Sequence, residues 1–444
     1  MTRIQTLLRV ISSEGVTAAV NRAFDGLAER RRLGTFEPIL AAKLQQAEGF
    51  VQPPVINLSV LPPYPNRGGS QLQMLDRLQE ERQYRTVALL YPLSTVWRLE
   101  VSAGDRAWIL KGPESNASDT SLNEAVGWAR RTLGTATIHI ENLAGLPLNQ
   151  IPALANDGSL IISVHDFTGY CRRPHLMEQP QSVFCNYSSD AARCRSCLAQ
   201  DWQLPPNAAE VYRNRARKSL MAATNIVFPS PFLRDRYLEL FSDLELETRS
   251  RVIEPATNIH LPSMIRRPHT PHVAFVGGIK GHKGGDLVAQ TAERLREHHE
   301  ELLLTSYGDS DGDRDLIRRI RRTARVRIHG FYRGGELPSL LVRDAVDVAI
   351  MPSIWPESYG LVVDECLQAR VPVVAFDLGA IGPRLKRLGV GRIIDIDQGA
   401  MGLATGAAGL LTETTDIDDA VLDTLPTPQR VAKKYIRLYR DLEG

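Results

Sequence analysis

The sequence predicts an α/β protein in which two doubly wound parallel sheets face each other across a cleft, behind a helical appendix. Three observations carry that expectation. Short apolar runs alternate with helix-patterned segments in two separate series, at 54–255 and 272–426. A polar, proline-marked stretch, 256–271, divides the two series. The length, 444 residues, exceeds what one hydrophobic core ordinarily organises.

Residues 1–53 read as helical. Ile4, Leu7, Leu8 and Ile11 form one apolar stripe, and Ser13 can cap a second helix striped by Val16, Val20, Phe24 and Leu27. Arg3, Arg9, Arg22 and the run Arg30-Arg31-Arg32 make the appendix basic. That suits docking on the body of the protein or peripheral contact with an anionic inner membrane; Glu14, Asp25, Glu29 and Glu37 weaken the second.

From 54 to 255, VINLS, RTVALLY, ATIHIEN, LIISVHD, NIVFPS and RVIEP predict strands, with helices between most of them. TVWRLEV and RAWIL, around Ser102-Ala103-Gly104-Asp105, predict an inserted hairpin. Residues 167–205 break the pattern. The second series, HVAFVGG, ELLLTSYG, VRIHG, VDVAIMP, VPVVAF and GRIIDI, predicts the second sheet. Repeated βα units imply parallel sheets covered on both faces, with ligands at the carboxyl ends of the strands. Residues 427–444 predict a last helix carrying Val431, Tyr435, Leu438 and Tyr439, grouped with the first domain.

Composition narrows the function. Hydrophobic content of 43%, charged content of 23% and a net charge of +2 describe a globular protein with no electrostatic case for nucleic acid. No apolar run approaches the ~18 residues of a membrane span, and residues 1–34 lack a signal-peptide core. Five cysteines, an odd number without such a signal, point to a reducing cytoplasm.

The densest chemistry lies between Trp355 and Ala380, WPESYGLVVDECLQARVPVVAFDLGA. It reads as loop, helix, buried strand and the tight turn Leu378-Gly379-Ala380. Backbone amides near Ser358, Tyr359, Gly360 and Leu361, at a helix start, suit a phosphate. Glu357 and Glu365, placed at the start and middle of that helix, would be about 12 Å apart along its axis. The two therefore cannot act on one atom. One can hold a sugar beside phosphates and the other a ribose, which is the arrangement a nucleotide sugar needs.

Other segments supply parts. After the first strand, Arg67-Gly68-Gly69-Ser70 lets backbone approach a ligand closely before a helix begins. Gly68 and Gly69, with Arg67 beside them, are a weak signal by themselves. The second domain opens with Gly277-Gly278-Ile279-Lys280-Gly281-His282-Lys283. Lys283 is the expected diphosphate clamp, because a phosphate leaving group needs positive charge as its bond breaks. Gly308 to Asp315 fails as a calcium loop, since its glycine and closing glutamate are misplaced, and reads as a solvated turn. Cys171, Cys185, Cys194 and Cys197 sit in the 167–205 insertion, where a structural zinc and four reduced thiols are both open readings. Hydrolase elbows, Walker loops and HExxH motifs do not occur in the sequence.

PSIWPESYGLVVDEC resembles the E-x7-E signature of the retaining glycosyltransferases of family 4, also called group 1 glycosyltransferases, and with the other motifs the resemblance spans 54–442. It implies the GT-B fold, two Rossmann-like domains facing across a cleft, with a final helix returning to the first. It implies transfer from a nucleotide-diphosphate sugar to a saccharide or lipid-linked saccharide, with retention of configuration and no catalytic metal. A bacterial surface-polysaccharide or lipopolysaccharide pathway follows at family level. His165-Asp166, closing LIISVHD, resembles the family's His-Asp pair, which puts His165 on the donor sugar and Asp166 in an orienting role. By the same resemblance Glu357 holds sugar hydroxyls, Glu365 the ribose, and Phe331 and Tyr332 flank the base. Likeness to the family's glycine-rich loop implies donor phosphates or the acceptor edge for Gly68 and Gly69. The family ordinarily has arginine where this chain has Gly278, and Lys280 is the nearest substitute charge. That departure motivates an alternative, a transferase-like protein that binds saccharide or acts as a scaffold without turnover.

Overall fold

The computed structural model describes residues 54–60, 69–93, 95–114, 121–258, 270–310, 314–322, 324–413 and 417–443. The helical appendix 1–53, Arg67, Gly68 and linker residues 259–269 lie outside the described residues.

The first half contains β1 (Val55–Leu58), α1 (Gly69–Glu81), β2 (Val87–Leu93), β3 (Val96–Ala103), β4 (Arg106–Glu114), α2 (Ser121–Leu133), β5 (Ile138–Ile140) and β6 (Leu160–Ser163). A short ribbon, β7 (Met177–Glu178) with β8 (Val183–Phe184), and α3 (Ala191–Ala199) follow within the insertion. Then come α4 (Ala208–Ala222), β9 (Asn225–Phe228), α5 (Pro231–Leu240) and β10 (Ser250–Val252). The sheet runs β10-β9-β6-β5-β1-β2-β3-β4. It is parallel except where β2, β3 and β4 pair antiparallel, which is the hairpin expected around Gly104. β1, β6 and β9 are buried along their whole length. Helices cover both faces of a parallel sheet, so these strands read as nearly continuous apolar runs, interrupted by buried Asn57, Ser163 and Asn225.

The second half contains β11 (His272–Val276), α6 (Gly285–His298), β12 (Leu303–Tyr307), α7 (Arg314–Arg322), β13 (Arg327–Gly330), α8 (Leu337–Arg343), β14 (Val348–Met351) and α9 (Leu361–Gln368). It continues through β15 (Val373–Phe376), α10 (Ile381–Leu388), β16 (Arg392–Ile394), α11 (Gly399–Thr412) and α12 (Asp419–Asp423). All six strands are parallel, in the order β13-β12-β11-β14-β15-β16. Side chains alternate between two cores: Val273, Phe275, Ile350 and Phe376 on one face, Ala274, Val276, Met351 and Ala375 on the other. Strand order reverses between β11 and β14. Such a switch point opens a crevice at the carboxyl ends of the two strands, because their connections leave in opposite directions.

The final helix, α13 (Pro428–Glu443), packs Val431, Tyr435, Leu438 and Tyr439 against Val55, Ile161 and Val227 of the first sheet. Polar bonds complete the seam. Arg77 of α1, itself buried, donates to the Tyr439 hydroxyl at 2.8 Å, and that hydroxyl meets His139 Nδ1 at 2.8 Å. The Arg77 guanidinium also pairs with Glu81 and Glu141 and lies 4.2 Å over the Tyr435 ring. Among the described residues no helix is long and apolar enough to cross a membrane.

Candidate active site

The switch point of the second sheet brings the loop after β11 against the loop after β14. Gly284 makes the approach close: its φ is +72°, and a Cβ there would stand 1.8 Å from the carbonyl oxygen of Pro352. Lys283 thereby reaches Glu357, and the ammonium donates to Glu357 Oε1. The same oxygen accepts from Ser353 Oγ at 2.8 Å and Trp355 Nε1 at 3.1 Å. Burial pushes the Glu357 carboxyl up, but Lys283 and these donors outweigh it and hold it below its ordinary value. The Lys283 ammonium also lies 5.3 Å from the centre of the Trp355 ring. Behind the pair, Gly379 has φ +69°, and a Cβ there would stand 2.5 Å from both backbone N and O of Glu357. Ala380 N donates to Glu357 O at 2.8 Å. The Leu378-Gly379-Ala380 turn is thus the backing plate of the glutamate.

The helix begins later than the sequence suggests. Glu357 lies in a loop, and α9 starts at Leu361 after Gly360, whose φ of +81° is left-handed. That residue turns the chain, so Glu357 bends back to Lys283 instead of continuing the helix axis. The spacing of about 12 Å expected for a shared helix therefore has no basis here. Glu365, inside α9, accepts from Gly335 N at 3.3 Å. Burial raises its carboxyl to about 7, against that amide. Tyr332 lies beside it, its phenol pushed up by burial and by the Glu365 charge, while Phe331 is exposed. Asp364, fully buried, pairs with Arg384 and accepts from Tyr359 Oη at 2.9 Å and Thr257 Oγ1 at 2.8 Å. Arg384 also donates to the carbonyls of Tyr359 and Gly360, at 2.8 and 3.2 Å. The Tyr359 side chain is thereby committed to the core, leaving only its backbone for a ligand.

The first half faces this loop closely. A Cβ on Gly69 would stand 2.6 Å from Leu361 Cδ1, so the start of α1 abuts the start of α9. Ser230, the cap of α5, donates from Oγ to Ser358 O at 2.6 Å. His175, from the cysteine-bearing insertion, stacks on His282 with ring centres 3.9 Å apart, and its ring centre lies 4.7 Å from that of Trp355. Burial lowers His175 and takes His282 down to about 4, so both rings are neutral near pH 7. His175, His282, Trp355, Ser353 and Ser230 escaped the sequence reading. His282 carried a signal in its place beside Lys283; His175 carried none.

His165 lines a cavity under α1 with Ser70, Gln73, Glu141 and Tyr435. Burial lowers its imidazole to about 4, only partly offset by a bond to the Glu141 backbone. Asp166 caps the turn that follows, accepting from Thr168 N at 2.7 Å, and burial raises its carboxyl.

Gly277 and Gly278 have φ of +112° and +85°. A Cβ on Gly278 would stand 2.4 Å from Asp309 O, because Gly278 and Ile279 bond the backbone at Tyr307 and Asp309. An arginine does not fit this backbone. Lys280 lies 3.9 Å from Asp309 Oδ2. Of the stretch read as a solvated turn, the Asp309 side chain is exposed while the backbone of Gly308 and Asp309 packs against Gly278; residues 311–313 lie outside the described residues.

Cys171, Cys185, Cys194 and Cys197 are free and line one cavity within the insertion. Burial lifts the Cys171 thiol to about 11 and raises Cys185. Among the described residues no group of three or more His, Cys, Asp or Glu side chains is assembled to hold a metal ion.

Residues 270–413 match the family described as Glycosyl transferases group 1. No curated protein matches the chain. Solved structures share its fold at low identity. A sucrose-phosphate synthase from Thermosynechococcus elongatus is 17% identical with a TM-score of 0.57, over 88% of this chain and 98% of that one. Anabaena HepE, solved with UDP and glucose, is 14% identical with a TM-score of 0.55, over 87% and 99%. WaaG, a glycosyltransferase involved in lipopolysaccharide biosynthesis, is 13% identical with a TM-score of 0.51, over 86% and 95%. The described chain therefore has the GT-B fold, and its second half, over 270–413, matches Glycosyl transferases group 1.

Proposed function

We propose that the chain is a retaining glycosyltransferase of family 4. In this reading it moves a sugar from a nucleotide-diphosphate donor to a saccharide or lipid-linked saccharide. The observation that carries it is the Lys283–Glu357 pair at the switch point, opposite the start of α1. An incoming diphosphate competes with Glu357 for the Lys283 ammonium and releases the carboxylate for sugar hydroxyls. Amides at Tyr359, Gly360 and Leu361 supply further positive potential as charge develops on the leaving group. Glu365 takes the ribose hydroxyls, with Phe331 and Tyr332 at the base. Gly277 and Gly278 line the approach to the diphosphate, and Lys280 stands at its edge. His165, neutral, accepts or donates a hydrogen bond at the sugar's other edge.

The reaction follows a same-face displacement. The acceptor oxygen bonds the anomeric carbon, the carbon–phosphate oxygen bond breaks, and the departing diphosphate takes the acceptor proton. The chain's residues hold and polarise; a bound metal has no assigned step. A place at the inner face of a bacterial membrane, in surface-polysaccharide or lipopolysaccharide synthesis, suits a lipid-linked acceptor and the basic appendix.

The test is turnover. Uridine, guanosine, adenosine and thymidine diphosphate sugars are each supplied with lipid-linked and free saccharide acceptors. Nucleoside diphosphate release is measured, and product anomers are read by proton NMR. Product with the donor's own anomeric configuration supports the reading; an inverted product ends retention. The absence of arginine at Gly278 favours one rival, a binding protein without turnover. Protein that binds a donor tightly yet never consumes it with its native acceptor present would establish that rival.

A further inference from the structure

The base of the cysteine-bearing insertion is packed, with Phe167, Tyr170 and Leu176 in the first core, but its outer elements bury little. Within α3, which carries Cys194 and Cys197, only Leu198 is buried. Helices below roughly 12–15 residues are marginal in water unless tertiary contacts support them, and α3 has nine residues. The ribbon of β7 and β8 has two residues per strand. These outer elements, thin in core, gain from another tether.

The spacing Cys171-x13-Cys185-x8-Cys194-x2-Cys197 spreads the thiols along the chain, yet folding brings all four to one cavity. About 30 Å³ of that cavity admits a water-sized body, more than the ~10–15 Å³ that one such body needs. Each sulfur already accepts from nitrogen. Cys171 Sγ accepts from Arg173 N at 3.4 Å, Cys197 Sγ from Gln179 N at 3.4 Å, and Cys194 Sγ from Arg213 Nη2 at 3.2 Å. Cys185 accepts from the backbone amides of Tyr187 and Ser188. Those amides reach it because Asn186 and Tyr187 have φ of +50° and +56°. Cys194 Sγ also donates to Ser188 O at 3.5 Å; a thiolate is a stronger acceptor than a thiol for the five nitrogen donors named. Four thiolates around a divalent cation leave a net charge of −2, and Arg172, Arg173, Arg193 and Arg213 line the same cavity.

We propose that Cys171, Cys185, Cys194 and Cys197 bind one structural zinc ion that staples this insertion and so holds His175 against the second half. No three ligating side chains among the described residues are yet gathered around a point, so the ion itself draws the sulfurs in. Four thiolates with no open position suit a structural, tetrahedral zinc. Binding releases the thiol protons, which makes affinity rise with pH. The proposal does not depend on which donor the protein uses, or on turnover.

The experiment is elemental analysis of the full chain, purified under reducing conditions and desalted. Close to one zinc per chain is expected in the wild type and in Cys366→Ser, whose thiol is buried in α9 and does not line that cavity, with nearly complete loss in Cys194→Ser and Cys197→Ser. Because those variants can unfold, a second measurement uses the wild type alone. Cobalt(II) added to chelator-treated protein gives the visible and charge-transfer bands of a tetrahedral tetrathiolate. Titration with an organomercurial releases zinc as four thiols react. The proposal is overturned if the folded wild type carries no zinc and its four thiols react freely with Ellman's reagent, or if it carries iron and sulfide instead.

Discussion

Glu365 and His165 show how burial decides what a side chain can do. The Glu365 carboxyl sits at about 7, so near neutrality it is divided between acid and carboxylate. Ribose hydroxyls donate, which favours the carboxylate, and donor binding should tighten as pH rises from 5.5 to 8.5. Glu365→Gln should weaken binding roughly tenfold, about 1.4 kcal/mol, and flatten that profile; calorimetric titration across the range checks both. The stability sign is opposite. A carboxyl raised above its unfolded value keeps an extra proton in the folded state between about 4.5 and 7. Its contribution therefore falls as pH rises through that window. Glu365→Gln should gain on the wild type over the same window in thermal melts. His165 lies near 4, so it stays neutral above pH 6. The pH–rate profile of kcat/KM should show no limb near 6.5 that His165→Asn removes.

At the scale of elements, the strands were legible and the loop contacts were not. β1, β6, β9, β11, β14 and β15 are buried on both faces. Their runs are almost wholly apolar, the buried exceptions such as Asn57 and Ser163 being hydrogen-bonded, and such runs stand out in a sequence. The start of α9 was misplaced because Gly360 can take a left-handed turn or a cap, and only the packed loop chooses. The stack of His175 on His282 joins residues 107 apart in sequence (282 − 175) across two halves, with no local pattern to mark it. The Lys283–Glu357 contact was half legible: both residues stood out, but their meeting depends on strand order at the switch point.

The Gly278 loop gives an element-scale prediction. Arginine there meets both a left-handed backbone and the Asp309 carbonyl. Gly278→Arg should cost about 1–3 kcal/mol of stability and lower turnover instead of raising it, as denaturant melts and donor assays would show. A gain in activity without loss of stability would refute this account of the missing arginine. The final helix gives another. Tyr439→Phe removes the bond partner of both Arg77 and His139 in a buried seam. A cost of about 1–3 kcal/mol is expected, and a change within 0.3 kcal/mol in urea unfolding would show the seam to be decorative.

For the whole molecule, the first sheet and the second each present strand ends to one crevice. Gly69 against Leu361, Ser230 on Ser358 and His175 on His282 are the points where the halves meet. A ligand bound between the halves ties both together, so it should stabilise the entire chain by mass action. Thermal melts with a panel of uridine, guanosine, adenosine and thymidine diphosphate sugars measure that directly. At least one donor should raise the melting temperature of the wild type by several degrees, and Lys283→Ala and Glu365→Ala should abolish the rise. A panel without any shift, or a shift kept in full by both variants, would contradict a donor lying between the halves against Lys283.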